Sequence, residues 1–356
     1  MKGSIMSVNS PLSPLLERRA AILAEEPKLR ARNLAERLGI TEAELVALGS
    51  AEAEITQLRP EWQQIIASVG ALGRVMALTR NESAVHERKG VYGELEGGGH
   101  VGLIVGDDID LRIFFSHWKF GFAQVERMED GNLRRSLQFF DGHGMAIHKI
   151  YQTEQTDIAA FDALIERFAT EASPVEVKAR PERRKARPDS DIDVAGFRAA
   201  WDTMKDTHEF HGLLNKFKVE RIQGLRLAGE GRAVRVPASA LRAACEAANS
   251  RDVPIMVFVG NHGMIQIHTG PVENLKPMAP WFNVLDEKFN LHLREDHIDS
   301  AWVVWKPTED GTVTSLEIFD KDGALIATLF GKRRPGIPED EAWREIVNGL
   351  PEKEAA

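Results

Sequence analysis

Two histidines, His208 and His211, lie among apolar residues in the segment FRAAWDTMKDTHEFHGLL, residues 197–214. They belong to a series of apolar and histidine residues, Phe197, Trp201, Met204, His208, His211 and Leu214. Successive members of the series are 4, 3, 4, 3 and 3 residues apart. That spacing predicts one helix with all six side chains on one face. A neutral imidazole offers a ring nitrogen to a metal ion. The alternative is a pair of buried histidines whose ring nitrogens hydrogen-bond to main-chain carbonyls.

The composition limits the chemistry that this chain can do. It has 356 residues, a net charge of −9 and one cysteine, Cys245. A single cysteine excludes an internal disulfide, an iron–sulfur cluster and a thiolate zinc site. The acidic balance disfavours general binding to nucleic acid or to an anionic membrane.

The sequence also predicts where the protein is found. We expect residues 1–12 to be a disordered leader rather than a signal peptide, because they contain no apolar segment. No apolar run approaches the ~20 residues that span a bilayer. The expected location is the cytoplasm, without membrane insertion.

Two similar halves follow one another in the chain. VMALTRNE aligns with IMVFVGNH, which places Asn81 on Asn261, and SLQFFDGHGMAI aligns with SLEIFDKDGALI at nearly the same offset. Each half reads as helices, then an antiparallel meander, then a helix. We predict an α+β fold that is a tandem duplication of this unit. The first repeat covers residues 13–170, a basic proline-containing linker covers 171–191, and the second repeat covers 192–350.

The two halves differ at the histidines. The repeat partner of His208 is Leu29, and that of His211 is Arg32. A residue needed for folding is expected to recur in both units. The difference therefore predicts one site per chain, on the first helix of the second half.

Several segments carry a resemblance to a known family. WDTMKDTHEFHGLL resembles the segment that supplies the iron ligand in the bacterial cytoplasmic hemin-transport or hemin-degrading factor family. Further similar strings are LTRNESAVHE (78–87), DIDLRIF (108–114), VTSLEIFDKDGALI (313–326) and FGKRRPGIPEDEAW (330–343). Together they extend from about residue 15 to residue 349. The resemblance implies two stacked sheets flanked by helices, and haem as the ligand.

The resemblance also implies roles for individual residues. His208 would be the axial iron ligand, and Arg112, from the first half, would lie opposite it on the distal side of the haem, in a cleft between the halves. Arg221 and Lys306 match positions that hold the haem propionates in relatives. Phe114, Phe330 and Trp302 would line the haem, and His211 is a second candidate iron ligand. The haem would be non-covalent haem b (heme b), because the chain has no C-x-x-C-H motif.

Each of these roles has a simpler alternative. Arg112 could pair with Asp108 or Asp110 on the same segment. Arg221 and Lys306, taken singly, could be ordinary surface charges. The string HEFH is one residue short of the H-E-x-x-H zinc motif, and GELEGGGH predicts a hairpin turn.

Three functions are compatible with the sequence. The first is a carrier that takes imported haem from an importer ATPase to a heme oxygenase, and the two neighbouring histidines favour it. The second is a haem-degrading enzyme similar to a heme oxygenase, for which no catalytic residue is assigned. The third is a haem-responsive DNA-binding regulator that uses a helix-turn-helix at residues 29–50, which the acidic Glu42 and Glu44 disfavour. Thr41 and Glu44 predict a capping box at the start of its second helix. Whether the protein forms a homodimer is left open.

Overall fold

The computed structural model describes residues 13–182, 186–333 and 336–350. The expected leader, residues 1–12, lies outside them, as does the Arg183–Lys185 part of the predicted linker. The described residues form ten α-helices. These are α1 (Ser13–Glu25), α2 (Ala31–Leu38), α3 (Glu42–Leu48), α4 (Trp62–Ser68), α5 (Ile158–Phe168), α6 (Val194–Asp202), α7 (Glu209–Phe217), α8 (Arg221–Ala228), α9 (Ala240–Ser250) and α10 (Glu341–Asn348).

The described residues also form eighteen strands, nine in the first repeat and nine in the second. The first nine are β1 (Ala53–Gln57), β2 (Gly73–Arg80), β3 (Ala84–Gly90), β4 (Glu96–Gly98), β5 (Val101–Ile104), β6 (Asp110–Phe114), β7 (Trp118–Arg127), β8 (Leu133–Asp141) and β9 (Ala146–Thr156). The others are β10 (Ala233–Val236), β11 (Ile255–Asn261), β12 (Met264–Gly270), β13 (Leu275–Met278), β14 (Trp281–Leu285), β15 (Phe289–Arg294), β16 (Ser300–Thr308), β17 (Gly311–Phe319) and β18 (Leu325–Gly331). They lie in two large antiparallel sheets with flanking helices, so the predicted fold class is confirmed.

The chain folds as two compact units. Unit 1 takes its described residues from Met1–Ala77, Val91–Leu103 and Ile113–Pro181, and unit 2 from Leu78–Gly90, Ile104–Arg112 and Glu182–Ala356. The units do not follow the two sequence repeats, because two segments of the first repeat belong to unit 2.

In unit 1, β7 pairs with β1 and with β8, and β8 pairs with β9, all antiparallel. Ala43 and Val46 of α3 pack with Phe122 and Phe140 of these strands in one buried cluster. The GELEGGGH segment forms the predicted hairpin, with Gly97 opposite Gly102. The predicted linker is only partly a solvated connector, since Val175 and Val177 pack against that cluster.

The predicted helix-turn-helix forms as α2, a turn and α3. Gly39 ends α2 in the left-handed conformation at φ 72°, and Thr41 and Glu44 form the expected capping box. However, α3 has no basic residue, and Glu42, Ala43, Leu45 and Val46 are buried. Because a DNA-reading helix needs an exposed face, this geometry does not favour DNA recognition by α3.

In unit 2, the strand order β10-β16-β17-β18-β11-β12 is antiparallel throughout, and β15 pairs with both β3 and β14. Leu241 and Cys245 of α9 and Trp343 of α10 pack in a buried core with strand residues such as Leu316. Burial raises the pKa of the Cys245 thiol to about 12, so this cysteine is a core residue and not a reactive thiolate.

The prediction of a single helix over residues 197–214 is wrong. Helix α6 ends at Asp202 and α7 begins at Glu209, with a turn between them. The turn forms because the Asp206 carboxylate accepts a hydrogen bond from the main-chain N–H of His208 at 2.7 Å, which competes with helical hydrogen bonding. The apolar members of the predicted stripe are buried, but His208 and His211 are exposed.

No helix in residues 13–182, 186–333 and 336–350 is long and apolar enough to cross a membrane.

Candidate functional site

His208 immediately precedes α7, and 88% of its side chain is exposed. Its Nδ1 lies 2.5 Å from Oδ1 of Asp206. Because a carboxylate accepts the hydrogen bond, Nδ1 carries a proton, and in the neutral ring the lone pair is on Nε2. Within the described part of the chain, Nε2 makes no hydrogen bond. The alternative of two buried structural histidines is therefore wrong, and the arrangement suits a metal ligand.

Asp206 is held in its charged form by the same contact. The hydrogen bond from the His208 main-chain N–H lowers the pKa of the Asp206 carboxyl, and partial burial only weakly opposes it. An anionic carboxylate behind a histidine increases the basicity of the ring and fixes its orientation.

The two predicted propionate cations, Arg221 and Lys306, meet at a third residue, Glu317. Arg221 donates from Nε to Oε2 at 2.7 Å and from Nη2 to Oε1 at 2.8 Å, a bidentate pair. Lys306 donates from Nζ to Oε1 at 2.6 Å, and Ser315 donates to the same oxygen at 3.3 Å. The structure thus brings Arg221 and Lys306 together, and neither is an isolated surface charge.

Strand pairing explains why these residues meet. Trp302 lies opposite Glu317, and Val304 lies opposite Ser315, in the β16–β17 register. Alternate residues of a strand share a face, so Lys306 lies on the same face as Trp302 and Glu317. Helix α8 begins at Arg221, which supplies the second cation.

Burial and pairing act in opposite directions on the pKa of each buried group in the ion cluster, and pairing prevails only at Glu317. Burial alone would raise the pKa of Glu317, but Arg221 and Lys306 lower it to about 2. Burial lowers the pKa of Lys306, and the Glu317 carboxylate opposes that shift. Two cations and one carboxylate leave the cluster with one net positive charge.

Phe210 connects this cluster to the histidine-bearing helix. Lys306 Nζ lies 4.6 Å and Arg221 Cζ 5.1 Å from the centroid of the Phe210 ring, distances that allow cation–π attraction. Phe210 belongs to α7 and is 2% exposed. The start of α7 therefore has two exposed histidines, His208 just before the helix and His211 in its first turn, beside a buried ring that packs on the ion cluster.

Arg112 lies on β6, whose alternating burial puts Asp110, Arg112 and Phe114 on the less buried face. Arg112 forms an ion pair with Asp110 and donates to the Leu111 carbonyl at 3.2 Å. Among the described residues, both hydrogen bonds come from Nη1, which leaves the Nε–H and Nη2–H donors available. Asp108 pairs instead with Arg88 and Lys288.

The remaining predicted lining residues are aromatic. Phe330 of β18 is half-buried and packs edge-on against Phe258, with centroids 5.1 Å apart. Trp302 is 9% exposed, and its indole Nε1 is a buried donor without a hydrogen bond among the described residues. A ligand acceptor beside Trp302 would satisfy this donor.

Sequence reasoning missed Glu317 and Asp206. The repeat alignment contained a signal for Glu317, because SLEIF in the second half replaces SLQFF in the first and puts Glu317 at the position of Gln138. For Asp206, the signal was its type and position: an aspartate two residues before His208 can accept the His208 main-chain N–H in an Asx turn, which interrupts a helix.

The sequence pattern of a known family matches the chain twice. The pattern, described as the "Haemin-degrading HemS.ChuX domain", matches residues 39–168 and 218–350, which is more than half of the chain. The chain belongs to this family. The HemS/ChuX match repeats at the offset found between the two halves, and it includes Arg112, Arg221 and Lys306 but not His208 or His211.

Individual relatives extend over nearly the whole chain. The hemin transport protein HemS of Yersinia enterocolitica is 39% identical over 338 residues, which is 94% of this chain and 96% of that protein. Among solved structures, the heme-binding protein PhuS of Pseudomonas aeruginosa in its holo form is 44% identical. The match covers 97% of this chain and 100% of the PhuS chain, with a TM-score of 0.93. The E. coli heme oxygenase ChuS is 37% identical, and the match covers 94% of this chain and 99% of ChuS, with a TM-score of 0.84.

Proposed function

We propose that this protein binds one non-covalent haem b through Nε2 of His208 and carries it through the cytoplasm from an importer ATPase to a heme oxygenase. The observation that supports this most directly is the exposed imidazole whose Nδ1 is held by Asp206. An imidazole in that state is ready to donate its Nε2 lone pair to iron.

The other requirements of haem are chemical, and this chain offers groups that match them. Propionates need cations, and the Arg221–Lys306–Glu317 cluster has one net positive charge. The porphyrin faces need apolar and aromatic walls, for which Phe330 and Trp302 of unit 2 are available. The similarity to the heme-binding PhuS and to the hemin transport protein HemS supports the same ligand.

The alternative is an enzyme that degrades haem. The similarity to ChuS, which is described as a heme oxygenase, favours it. Arg112 would suit either activity, because its available N–H donors can hydrogen-bond a group on the distal side of the haem. Two neighbouring imidazoles favour the carrier, since His211 can take the iron while His208 releases it.

One experiment separates the carrier from the enzyme. The haem complex is incubated with a reductant in the presence of catalase, which removes free peroxide that would destroy haem without enzymatic turnover. A carrier leaves the Soret band unchanged and passes the haem to an added heme oxygenase. Formation of a bilin spectrum under these conditions would contradict the carrier and establish the degrading enzyme.

A further inference from the structure

The turn that joins β16 to β17 lies against the turn that carries His208. The main-chain N–H of Glu309 donates to the carbonyl of Lys205, three residues before His208, at 2.9 Å. Among the described residues, the other hydrogen bonds between main-chain groups of residues 203–208 stay within this turn or reach α6 and α7. The Glu309 N–H is therefore the main-chain group that ties the histidine-bearing turn to the sheet.

The side chains of the same two residues contribute little to this contact. Lys205 and Glu309 form an ion pair at 3.9 Å, but 72% and 74% of their side chains are exposed. At such exposure an ion pair is screened by water and holds a loop only weakly. The contact that fixes the turn is thus the hydrogen bond between main-chain atoms.

The β16–β17 turn is braced on another side. Oδ2 of Asp310 accepts a hydrogen bond from the main-chain N–H of Gly336 at 3.0 Å. Three residues further on, the buried Glu339 carboxylate accepts the main-chain N–H of Thr314 in β17 at 2.7 Å. The turn is therefore held by the segment that follows β18, and its position depends on more than its own hairpin.

The first half contains the same turn sequence without these contacts. Residues 129–131 read Glu-Asp-Gly and join β7 to β8, as residues 309–311 do between β16 and β17. Asp130 accepts hydrogen bonds from the main-chain N–H and the side-chain amide of Asn132, both at 2.9 Å, within its own hairpin. In the described part of the first half, the Glu129 N–H makes no hydrogen bond to the main chain. The turn thus contacts distant segments in the half that carries the two histidines.

We propose that Glu309 is a positioning residue for the haem: by holding the Lys205 carbonyl, its main-chain N–H keeps His208 in place to bind the iron. The inference rests on the proposed haem-binding function. His208 precedes α7, so the turn determines where its ring lies. His211 lies within α7, which the buried Phe210 anchors independently of the turn. Release of the turn therefore frees His208, leaves His211 in place and favours His211 as the iron ligand.

Glu309→Pro removes the main-chain donor and leaves the turn compatible with its sequence. Proline lacks the N–H, and its fixed φ suits the second residue of a β-turn. The preceding Thr308 belongs to β16 and has the extended conformation that proline requires before it. Glu129→Pro is the matched control, because it removes an N–H that makes no main-chain hydrogen bond in the described chain. Glu309→Ala is the second control, since it deletes the exposed ion pair and keeps the N–H.

Soret titration and the ferric absorption spectrum compare these variants. We expect Glu309→Pro to lower haem affinity about three- to tenfold, as for one lost hydrogen bond, and to shift the ferric spectrum towards that of His208→Ala. Both controls should match wild type. In the His208→Ala background, Glu309→Pro should have no further effect, because the residue that it positions is already absent.

Two results would overturn the inference. A merely structural role would lower stability and affinity without changing the ferric spectrum, so a wild-type spectrum in folded Glu309→Pro excludes positioning of the ligand. An equal loss of affinity in the His208→Ala background would show that the turn acts on another part of the site.

Asp310→Ala provides a second variant, which keeps the Glu309 N–H but releases the turn from Gly336. It should shift the ferric spectrum in the same direction as Glu309→Pro and by less, whereas Asp130→Ala in the first half should not. If Glu309→Pro does not fold, this pair decides the question. An unchanged spectrum in folded Asp310→Ala would contradict the bracing of the turn and overturn the inference.

Hydrogen exchange of the haem-free protein gives a readout that needs no ligand. The main-chain amides of residues 203–208 should exchange faster in Glu309→Pro than in wild type, and at the wild-type rate in Glu129→Pro. Equal exchange in Glu309→Pro would show that the Glu309 N–H does not hold the turn, contrary to the inference. Failure of the wild type to bind haem would refute the proposed function and this inference together. The other contrary outcomes leave haem binding intact, so the two failures are distinguishable.

Discussion

Asp206 is hydrogen-bonded to His208 twice, once through the main-chain N–H at 2.7 Å and once through Nδ1 at 2.5 Å. The first bond shapes the turn that precedes α7, and the second fixes the tautomer of an exposed ring. One carboxylate thus determines both where the imidazole is placed and which of its nitrogens is available.

Removal of this carboxylate should weaken haem binding. Asp206→Ala is expected to lower haem affinity about tenfold, the lower end of what the loss of a hydrogen-bonding partner behind a metal-binding histidine costs. The haem affinity of Asp206→Asn should lie between those of Asp206→Ala and wild type, because the amide oxygen still accepts the hydrogen bond. Soret titration measures the effect. Asp202→Ala, which removes an exposed carboxylate paired with Arg232, is the control, and an equal loss in that variant would refute a specific role for Asp206.

The two histidines should be distinguishable by spectrum. If His208 is the resting ligand, His208→Ala should shift the Soret band much more than His211→Ala does. The His208 variant should retain weaker binding through His211, which lies one turn further along α7. The double variant should lose the imidazole signature, and the control His100→Ala, which removes an exposed imidazole of unit 1, should change nothing. A folded double variant with the wild-type spectrum would exclude both ligands.

Arg112 is expected to affect the ligand on the distal side of the haem and to have little effect on haem affinity. Because its charge is already paired with Asp110, Arg112→Ala should change haem affinity by less than about threefold. It should still alter the pH at which the ferric complex changes spectrum, or its retention of carbon monoxide. Complete loss of haem from a folded variant would mean that Arg112 anchors a propionate instead.

The stoichiometry tests the difference between the halves. Leu29, the repeat partner of His208, packs with α1 and α2 residues in a buried cluster and offers no metal ligand. We therefore expect a titration endpoint of one haem per chain. Two tight sites would contradict the inference that only the second half supplies an iron ligand.

The fold class was predictable because its signals are local. Alternating strand residues, turn glycines and the repeat offset appear directly in the sequence, and the Thr41–Glu44 capping box was predicted residue by residue. The interrupted helix was not predicted. An apolar spacing of 3 and 4 fits one helix as well as two helices joined by a turn, and a single aspartate–main-chain hydrogen bond decides between them.

The ion cluster was predictable only in part. The resemblance pointed to Arg221 and Lys306, but the pairing with Glu317 depends on the register between β16 and β17, which a single sequence does not specify. Arg221 and Glu317 are 96 residues apart in the chain. Contacts at such separation follow from tertiary packing and not from local pattern.

His268 of unit 2 is buried in a form that disfavours protonation. Its ring stacks on Phe289 with centroids 3.8 Å apart, Arg88 lies 3.0 Å from Nδ1, and the Pro271 carbonyl lies 3.0 Å from Nε2. Burial, and then the charge of Arg88, lower the pKa of His268 to about 3. Burial likewise lowers the pKa of His86 well below its ordinary value.

These two histidines should make the protein less stable in acid. Their folded-state pKa values lie below the unfolded value of about 6.5, so below that pH the unfolded chain binds protons that the folded chain does not, and stability falls as the pH drops from 6.5 towards 3. Between pH 7 and pH 5 His268 should cost roughly 2 kcal/mol of unfolding free energy, and His86 should lower the stability in the same direction. Urea unfolding at both pH values measures the change. His268→Gln should reduce the change by roughly 2 kcal/mol, whereas His100→Gln, a change at an exposed ring, should leave it unaltered. An unchanged pH dependence in His268→Gln would mean that His268 is not the group that titrates.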